Sequence, residues 1–173
     1  MRHGIAVDLA DGSWQVDTER ALTPQGIVRT RAAAQGLARL LRCPDRVLAS
    51  PLKRAQQTAQ LAAEALGFPA KQIETCPALE PDAAPLAVLE TLARQPAASA
   101  LCVGHLPHLD LLLAALLTGT RVRVGSFKKA SAACLELNFP SKTTWTVNLE
   151  WFIPPRALRA IGRAHLEKPF EEE

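Results

Sequence analysis

Two short apolar runs, Arg46-Val47-Leu48-Ala49 and Ala100-Leu101-Cys102-Val103, each lead within a few residues into a proline-marked turn and a helical pattern. That repetition constrains the fold more than any other feature of the chain. A short continuous apolar run suits a strand buried between helices, and a strand followed by a helix returns to a parallel neighbour. Ahead of the first run, Thr23-Pro24 supplies an N-cap and a first helical residue. Ile27, Ala34, Leu37 and Leu41 share one face of that helix, which ends near Leu41. Ser50-Pro51 turns the first run into a second helix with Ala55, Thr58, Ala59, Ala62 and Leu66 inside, closed by Gly67 with Pro69 beyond. Pro77 to Asp82 reads as a loop, and Pro85 to Arg94 as a short helix carrying Leu86, Leu89 and Ala93. Pro107 opens a helix whose Leu109, Leu112, Leu113 and Leu116 are core residues, and Thr118-Gly119 closes it. Ala132 to Asn138 and Thr143 to Ile153 alternate like strands joined around Pro140-Ser141. Pro154-Pro155 starts a terminal helix over 154–166, with a frayed tail over 168–173. The expectation is an α/β chain: a three-layer α/β/α sandwich with a mostly parallel central sheet, forming a single domain over 1–173.

Composition narrows the function. The 173 residues are 48% hydrophobic and 21% charged, enough for an ordinary buried core without disulfides or a structural metal. A net charge of +3 is too small to imply a nucleic-acid partner. No run of about 18 apolar residues exists to span a membrane, and Met1-Arg2-His3 has no signal-peptide core. Cys43, Cys76, Cys102 and Cys134 are scattered without a C-x-x-C pair, so a zinc knuckle and a thioredoxin motif are both absent. Free thiols in a reducing cytoplasm are the expectation, and the protein is expected to be cytoplasmic.

One element of the pattern is missing. A parallel sheet normally opens with an apolar strand, whereas here the first loop begins at Arg2. We expect Met1 to be an internal methionine of a longer protein, with about five to seven apolar-alternating residues ahead of it. Without them the sheet holds either a strand gap at its centre with mobile Arg2 and His3, or a replacement strand.

Polar residues follow the apolar runs at three places: Arg2-His3-Gly4, Ser50-Pro51-Leu52-Lys53-Arg54 and Gly104-His105-Leu106-Pro107. Ligands of open α/β sheets bind outside the carboxyl ends of the strands, so Arg2, His3, Arg54 and His105 are candidates to converge there. Two arginines and two histidines suit an anion, phosphate above all. Arginine offers a planar fork that keeps its charge, and histidine serves as nucleophile, proton donor or charge stabiliser. Gly4 lets the backbone pass close to a ligand. His105 and His108 stand three residues apart, but no Cys or carboxylate beside them completes a zinc site, so no metal is expected and His108 reads as rim or structure. Asp110 is expected to point elsewhere. Asp8 and Asp17 read as loop carboxylates, Lys128 and Lys129 as a solvated strand end, and Trp14, Trp145 and Trp151 as packing residues.

These segments resemble the histidine phosphatase superfamily, and within it the SixA-type phosphohistidine phosphatases. The likeness rests on Arg2-His3-Gly4-Ile5-Ala6, on Arg20-Ala21-Leu22-Thr23-Pro24-Gln25-Gly26 and on Ser50 through Thr58. It continues in Val103-Gly104-His105-Leu106-Pro107, Lys128-Lys129-Ala130 and Trp151-Phe152-Ile153-Pro154-Pro155-Arg156, in family order along nearly the whole chain. The resemblance implies a phosphoglycerate-mutase-like sandwich whose first strand is missing here. It implies His3 as a transiently phosphorylated nucleophile and Arg2, Arg54 and His105 as ligands of the phosphoryl group, with no cofactor. It brings Arg20 toward the pocket mouth as a further substrate contact. The wider superfamily's general acid has no secure counterpart; Glu80, with Asp82 nearby, occupies roughly its region. A site without a strong acid favours a leaving group such as imidazole, with a conjugate-acid pKa of about 6.5, over an alkoxide. The implied substrate is phosphohistidine on a signalling protein. The alternatives are a small phosphate ester hydrolysed with Glu80 or Asp82 as acid, or a catalytically impaired module that binds phosphate or a phosphoprotein. No nucleic-acid or membrane partner is expected.

Overall fold

The structure, a computed structural model, describes residues 1–8, 17–122, 124–138 and 146–164. Its elements in chain order are α1 (Pro24–Leu40), β1 (Arg46–Ala49), α2 (Lys53–Leu66), β2 (Glu74–Thr75), α3 (Ala87–Arg94) and β3 (Ala100–Val103). They continue with α4 (His108–Thr118), β4 (Ala132–Asn138), β5 (Thr146–Ile153) and α5 (Pro155–Arg163). Short 3-10 turns lie at Asp17–Glu19, Ala70–Gln72 and Pro77–Leu79. The strands form a parallel sheet of order β2-β1-β3 and an antiparallel β4-β5 pair.

The apolar runs become strands because both their faces are covered. Val47 and Ala49 of β1 with Leu101 and Val103 of β3 pack into one core, against Ala33, Ala34 and Leu37 of α1 and the inner face of α2. Leu48 enters a second core with Val88 of α3 and Leu109, Leu112, Leu113 and Leu116 of α4. Strand side chains alternate between faces, so one four-residue strand fills two cores and fixes a helix–sheet–helix sandwich. Arg46 is the odd member of its run. It is 6% exposed, and its guanidinium bonds both carboxylate oxygens of Glu74 at 2.8 and 2.7 Å and the Gln95 carbonyl at 2.6 Å. That pair clamps β1 to the two-residue β2.

Helix ends follow the sequence signals. Thr23 Oγ1 accepts the Gly26 N–H at 2.9 Å, and Gly67 and Gly119 close α2 and α4 at φ 73° and 66°. The terminal helix is shorter than expected, Pro155–Arg163, and the 168–173 tail lies outside the described residues, as does the turn at Pro140-Ser141. In α3 the buried residue is Val88; Leu86 and Leu89 are half-buried and Ala93 is exposed.

Among the described residues β3 and β4 are not paired with each other, and Arg2 and His3, expected to be mobile, are held in place. Met1 to His3 run beside β3, with the Gly104 N–H donating to the Met1 carbonyl (3.1 Å) and the His3 N–H to the Gly104 carbonyl (3.0 Å). On their other side the Arg2 N–H donates to the Ser131 carbonyl, and the Ala130 N–H to the Arg2 and His3 carbonyls. Backbone bonds on two sides and a buried Met1 side chain hold this short segment where a frayed end was expected. Upstream of it, β3 and β4 are unpaired with each other.

α1 packs against α2 and α5. The contact with α5 is closest at Gly36, where a Cβ would stand 1.8 Å from the Leu158 carbonyl oxygen. Gly36→Ala therefore forces the two helix backbones apart. A loss of about 1–3 kcal/mol is expected, read as a lower urea midpoint at constant slope.

Candidate active site

Four side chains expected to converge are carried by three strand-end segments. His3 stands on the ladder just described. Arg54 lies in the first turn of α2, directly after the β1 turn, and His105 leaves β3 ahead of α4. The β1–α2 turn is fixed by the Ser50 N–H on the Val103 carbonyl (3.0 Å) and by Gln56 Nε2 on the Ser50 carbonyl (2.8 Å). Thr58 joins the segments: its hydroxyl donates to the Arg54 carbonyl at 2.7 Å and accepts the Gly4 N–H at 3.0 Å.

His3 and His105 face one another with ring centroids 4.8 Å apart and planes tilted by 46°. Both are buried, as is Arg54, at 7%, 1% and 5% exposure. Arg2 is half-buried and reaches the Phe127 carbonyl through Nη1 at 2.7 Å. Its Nε, and both ring nitrogens of His105, meet no hydrogen-bond partner among the described residues. Buried polar atoms normally have partners, so this cluster suits a ligand rich in acceptor oxygens.

Protonation states follow from the surroundings. His3 Nδ1 lies 2.7 Å from the Gly4 carbonyl, which can only accept, so Nδ1 carries the ring proton and Nε2 keeps a lone pair. Burial, then His105 and the two guanidiniums, push the His3 pKa down from 6.5 to about 3, against the pull of Gly4. Burial, then Arg54 and Arg2, bring His105 to about 3 as well, with Asp17 opposing. Both imidazoles are neutral at neutral pH while the guanidiniums stay charged.

Asp17, read from the sequence as a loop carboxylate, is a partner of Arg54. Its carboxylate takes Arg54 Nη2 at 2.9 Å and Arg20 Nη1 at 3.0 Å, and its carbonyl takes Arg54 Nη1 at 2.7 Å. Desolvation raises its pKa, but the bonds from Arg20 and Arg54 outweigh this and hold the carboxyl below its ordinary value. Arg20 also donates to the Val7 carbonyl at 2.6 Å and pairs with Asp8 at 3.5 Å, so it braces Asp17 and meets the site through it. The spacing Asp17-x-x-Arg20 was the available signal. Asp110, expected to point away from the His105 and His108 pair, bonds the 127 loop. It is buried, accepts the Phe127 N–H at 2.9 Å, and its charge opposes the burial that lowers the Arg2 pKa. A carboxylate in an otherwise leucine-rich helix start was the signal there.

His108 is fully buried, neither of its ring nitrogens meets a hydrogen-bond partner among the described residues, and burial lowers its pKa. Among the described residues no three His, Cys, Asp or Glu side chains gather in metal-binding range. Glu80 follows the Pro77–Leu79 turn and makes no hydrogen bond or ion pair with the four site residues among those described. The preceding Leu79 carbonyl lies 3.0 Å from where a Cβ on Gly104 would stand, so this loop passes beside the β3 end. Lys128 is exposed and Lys129 half-buried.

Histidines that refuse protons link stability to pH. Unfolded imidazoles bind protons near pH 6.5, whereas the folded His3 and His105 do so near 3. Their contribution is therefore fully present above pH 6.5 and is lost as pH falls toward 3. The urea midpoint is expected to drop steadily from pH 7 to pH 4.5, and to drop less in His105→Asn. A flat midpoint over that range would contradict the neutral pair.

The family model of the histidine phosphatase superfamily (branch 1) matches residues 1–80. Over 163 residues the chain is 34% identical to an uncharacterized protein of Picosynechococcus sp. strain PCC 7002, covering 88% of this chain and 96% of that protein. It is 36% identical over 123 residues to phosphohistidine phosphatase SixA of Escherichia coli K12, covering 69% of this chain and 73% of that protein. A solved structure of the protein histidine phosphatase SixA complexed with tungstate aligns with a TM-score of 0.76 at 30% identity, over 91% of this chain and 96% of that one. No helix among the described residues is long and apolar enough to cross a membrane.

Proposed function

The chain belongs to the histidine phosphatase superfamily, and from that premise we propose that it removes phosphate from phosphohistidine on a protein, through a covalent phosphohistidine at His3. The observation that carries the reading is the bare Nε2 lone pair of a buried, neutral His3 beside His105 and two guanidiniums. His3 Nε2 attacks phosphorus, forming a P–N bond as the bond to the substrate imidazole breaks. The substrate ring, protonated on its other nitrogen, leaves as neutral imidazole, its departing nitrogen keeping the electron pair of the broken bond. Water then attacks the phosphorus on His3, the new P–N bond breaks, and inorganic phosphate leaves with His3 restored. Phosphoryl transfer of this kind passes through a loose transition state, so catalysis rests on positioning and charge stabilisation. Arg2, Arg54 and His105 supply both, and Asp17 orients Arg54 by accepting from each of its two terminal nitrogens. The tungstate bound by the SixA relative, a tetrahedral oxyanion, supports an oxyanion site here.

The substrate class follows from the leaving group. An imidazole with a conjugate-acid pKa of about 6.5 departs without a dedicated acid, whereas an alkoxide needs one. A second reading, a small phosphate ester with Glu80 as general acid, is supported by the passage of the Leu79–Glu80 loop beside Gly104.

Incubation with a radiolabelled phosphohistidine protein, followed by quenching, tests the first reading. An acid-labile, alkali-stable label on His3 is expected. His3→Ala should lose label and turnover together, and His105→Ala should keep a trace of turnover; equal residual activity in the two variants would remove His3 as the nucleophile. Glu80→Gln should leave phosphohistidine turnover unchanged, and abolition of alkyl phosphate turnover in that variant would favour the second reading. Arg54→Lys keeps the charge but loses the fork, so about 2–4 kcal/mol of transition-state stabilisation should go, some 30- to 1000-fold in kcat/KM. Activity within threefold of the parent would show that Arg54 does not touch the phosphoryl group.

A further inference from the structure

One short segment, residues 127–131, holds Arg2 by its side chain and by its main chain. The Phe127 carbonyl accepts from Arg2 Nη1 at 2.7 Å. The Ser131 carbonyl accepts the Arg2 N–H at 3.0 Å, and the Ala130 N–H donates to the Arg2 carbonyl at 3.2 Å. A guanidinium is a rigid planar fork. With the main chain fixed, the place of the Phe127 carbonyl decides where that fork points.

Phe127 is in turn gripped by its other backbone group. Its N–H donates to Asp110 Oδ1 at 2.9 Å, and its buried ring packs against Phe152 with centroids 4.7 Å apart. Asp110 lies in the first turn of α4. The start of that helix is tied to His105, whose carbonyl accepts the Leu109 N–H at 2.9 Å. A single carboxylate therefore registers the segment carrying Arg2 against the helix that follows His105.

Packing alone does not account for an acid at this place. Asp110 is 6% exposed in a helix that otherwise reads His-Leu-x-Leu-Leu-Leu, where an apolar side chain would avoid the cost of burying a charge. The carboxylate also lies near enough to Arg2 to oppose the desolvation of the guanidinium, so its charge works against any anion bound there. What it gives in return is the acceptor for Phe127.

We propose that Asp110 is a positioning residue of the oxyanion site: by holding the Phe127 N–H it sets the Phe127 carbonyl, and through that carbonyl the direction of the Arg2 fork relative to His105. The inference rests on the oxyanion site of the proposed function and is independent of the leaving group. It has a signature in the sign of the effect. Removing a negative charge beside an anion site strengthens anion binding, whereas releasing Phe127 weakens it. Asp110→Asn removes the charge and keeps an acceptor oxygen; Asp110→Ala removes both.

Binding of inorganic phosphate, followed by titration calorimetry, separates these effects without turnover. Asp110→Ala should raise the phosphate Kd about tenfold, and Asp110→Asn should bind as tightly as the parent or more tightly. In an Arg2→Ala background Asp110→Ala should change Kd by less than about twofold, because the group it positions is gone. A merely structural role would lower the urea midpoint and the number of sites titrated, leaving the Kd of the folded protein in place. Should Asp110→Ala not fold, Asp110→Leu supplies the acceptor-free comparison. An unchanged or lower Kd in the acceptor-free variant, an equal loss in the Arg2→Ala background, or an Asp110→Asn as weak as Asp110→Ala would overturn the proposal. A parent chain that binds no phosphate would overturn it together with the oxyanion site. The expected coupling without any label on His3 would instead remove the phosphohistidine reading and uphold the role of Asp110.

Discussion

Five backbone hydrogen bonds and one hydroxyl hold the site together. Gly104 receives Met1 and His3 on the β3 edge, and Ala130 and Ser131 close the other side of the same segment. Thr58 then ties Gly4 to the first turn of α2, where Arg54 begins. His3, His105 and Arg54 thus share one short lattice of main-chain contacts. Their separation is set by ladder spacing instead of by long flexible side chains, which is what an in-line displacement requires.

The electrostatics follow from that placement. Two imidazoles are taken out of water beside two guanidiniums, and an arginine cannot shed its proton, so the imidazoles are the groups that yield. His3 gains a lone pair and retains an Nδ1 proton pinned to Gly4. Asp17 supplies a counter-charge from the solvent side, shared between Arg54 and Arg20. The site stays positive overall, ready for an anion, without leaving the Arg54 fork unsupported.

Much of this was legible in the sequence because local and tertiary signals agree. β1 and β3 are largely apolar, Thr23 caps the start of α1, and Gly67 and Gly119 close α2 and α4. His105 follows β3 and Arg54 opens the helix after β1, so their positions need little knowledge of distant contacts. Illegible features depend on partners far along the chain. β2 is two polar residues made into a strand by the clamp between Arg46 and Glu74. Val88, not Ala93, is buried because an eight-residue helix offers too few positions to fix its phase. Asp17 and Asp110 look like ordinary carboxylates until the fold sets them beside Arg54 and Arg2. The tethering of residues 1–3 was missed for the same reason, since its partners lie over one hundred residues away.

The division of the interior into two cores has a consequence for how the protein fails. Arg54 rides on α2, which belongs to the core containing Val47 and Ala49, whereas His105 precedes α4, which belongs to the core containing Leu48. His3 lies on the seam between them. A subglobal opening of either core moves one partner and leaves the rest of the helices intact. On the proposed mechanism, activity is therefore a coincidence detector: it requires both halves of the sandwich to be closed at once, and it is lost while most of the helical signal survives.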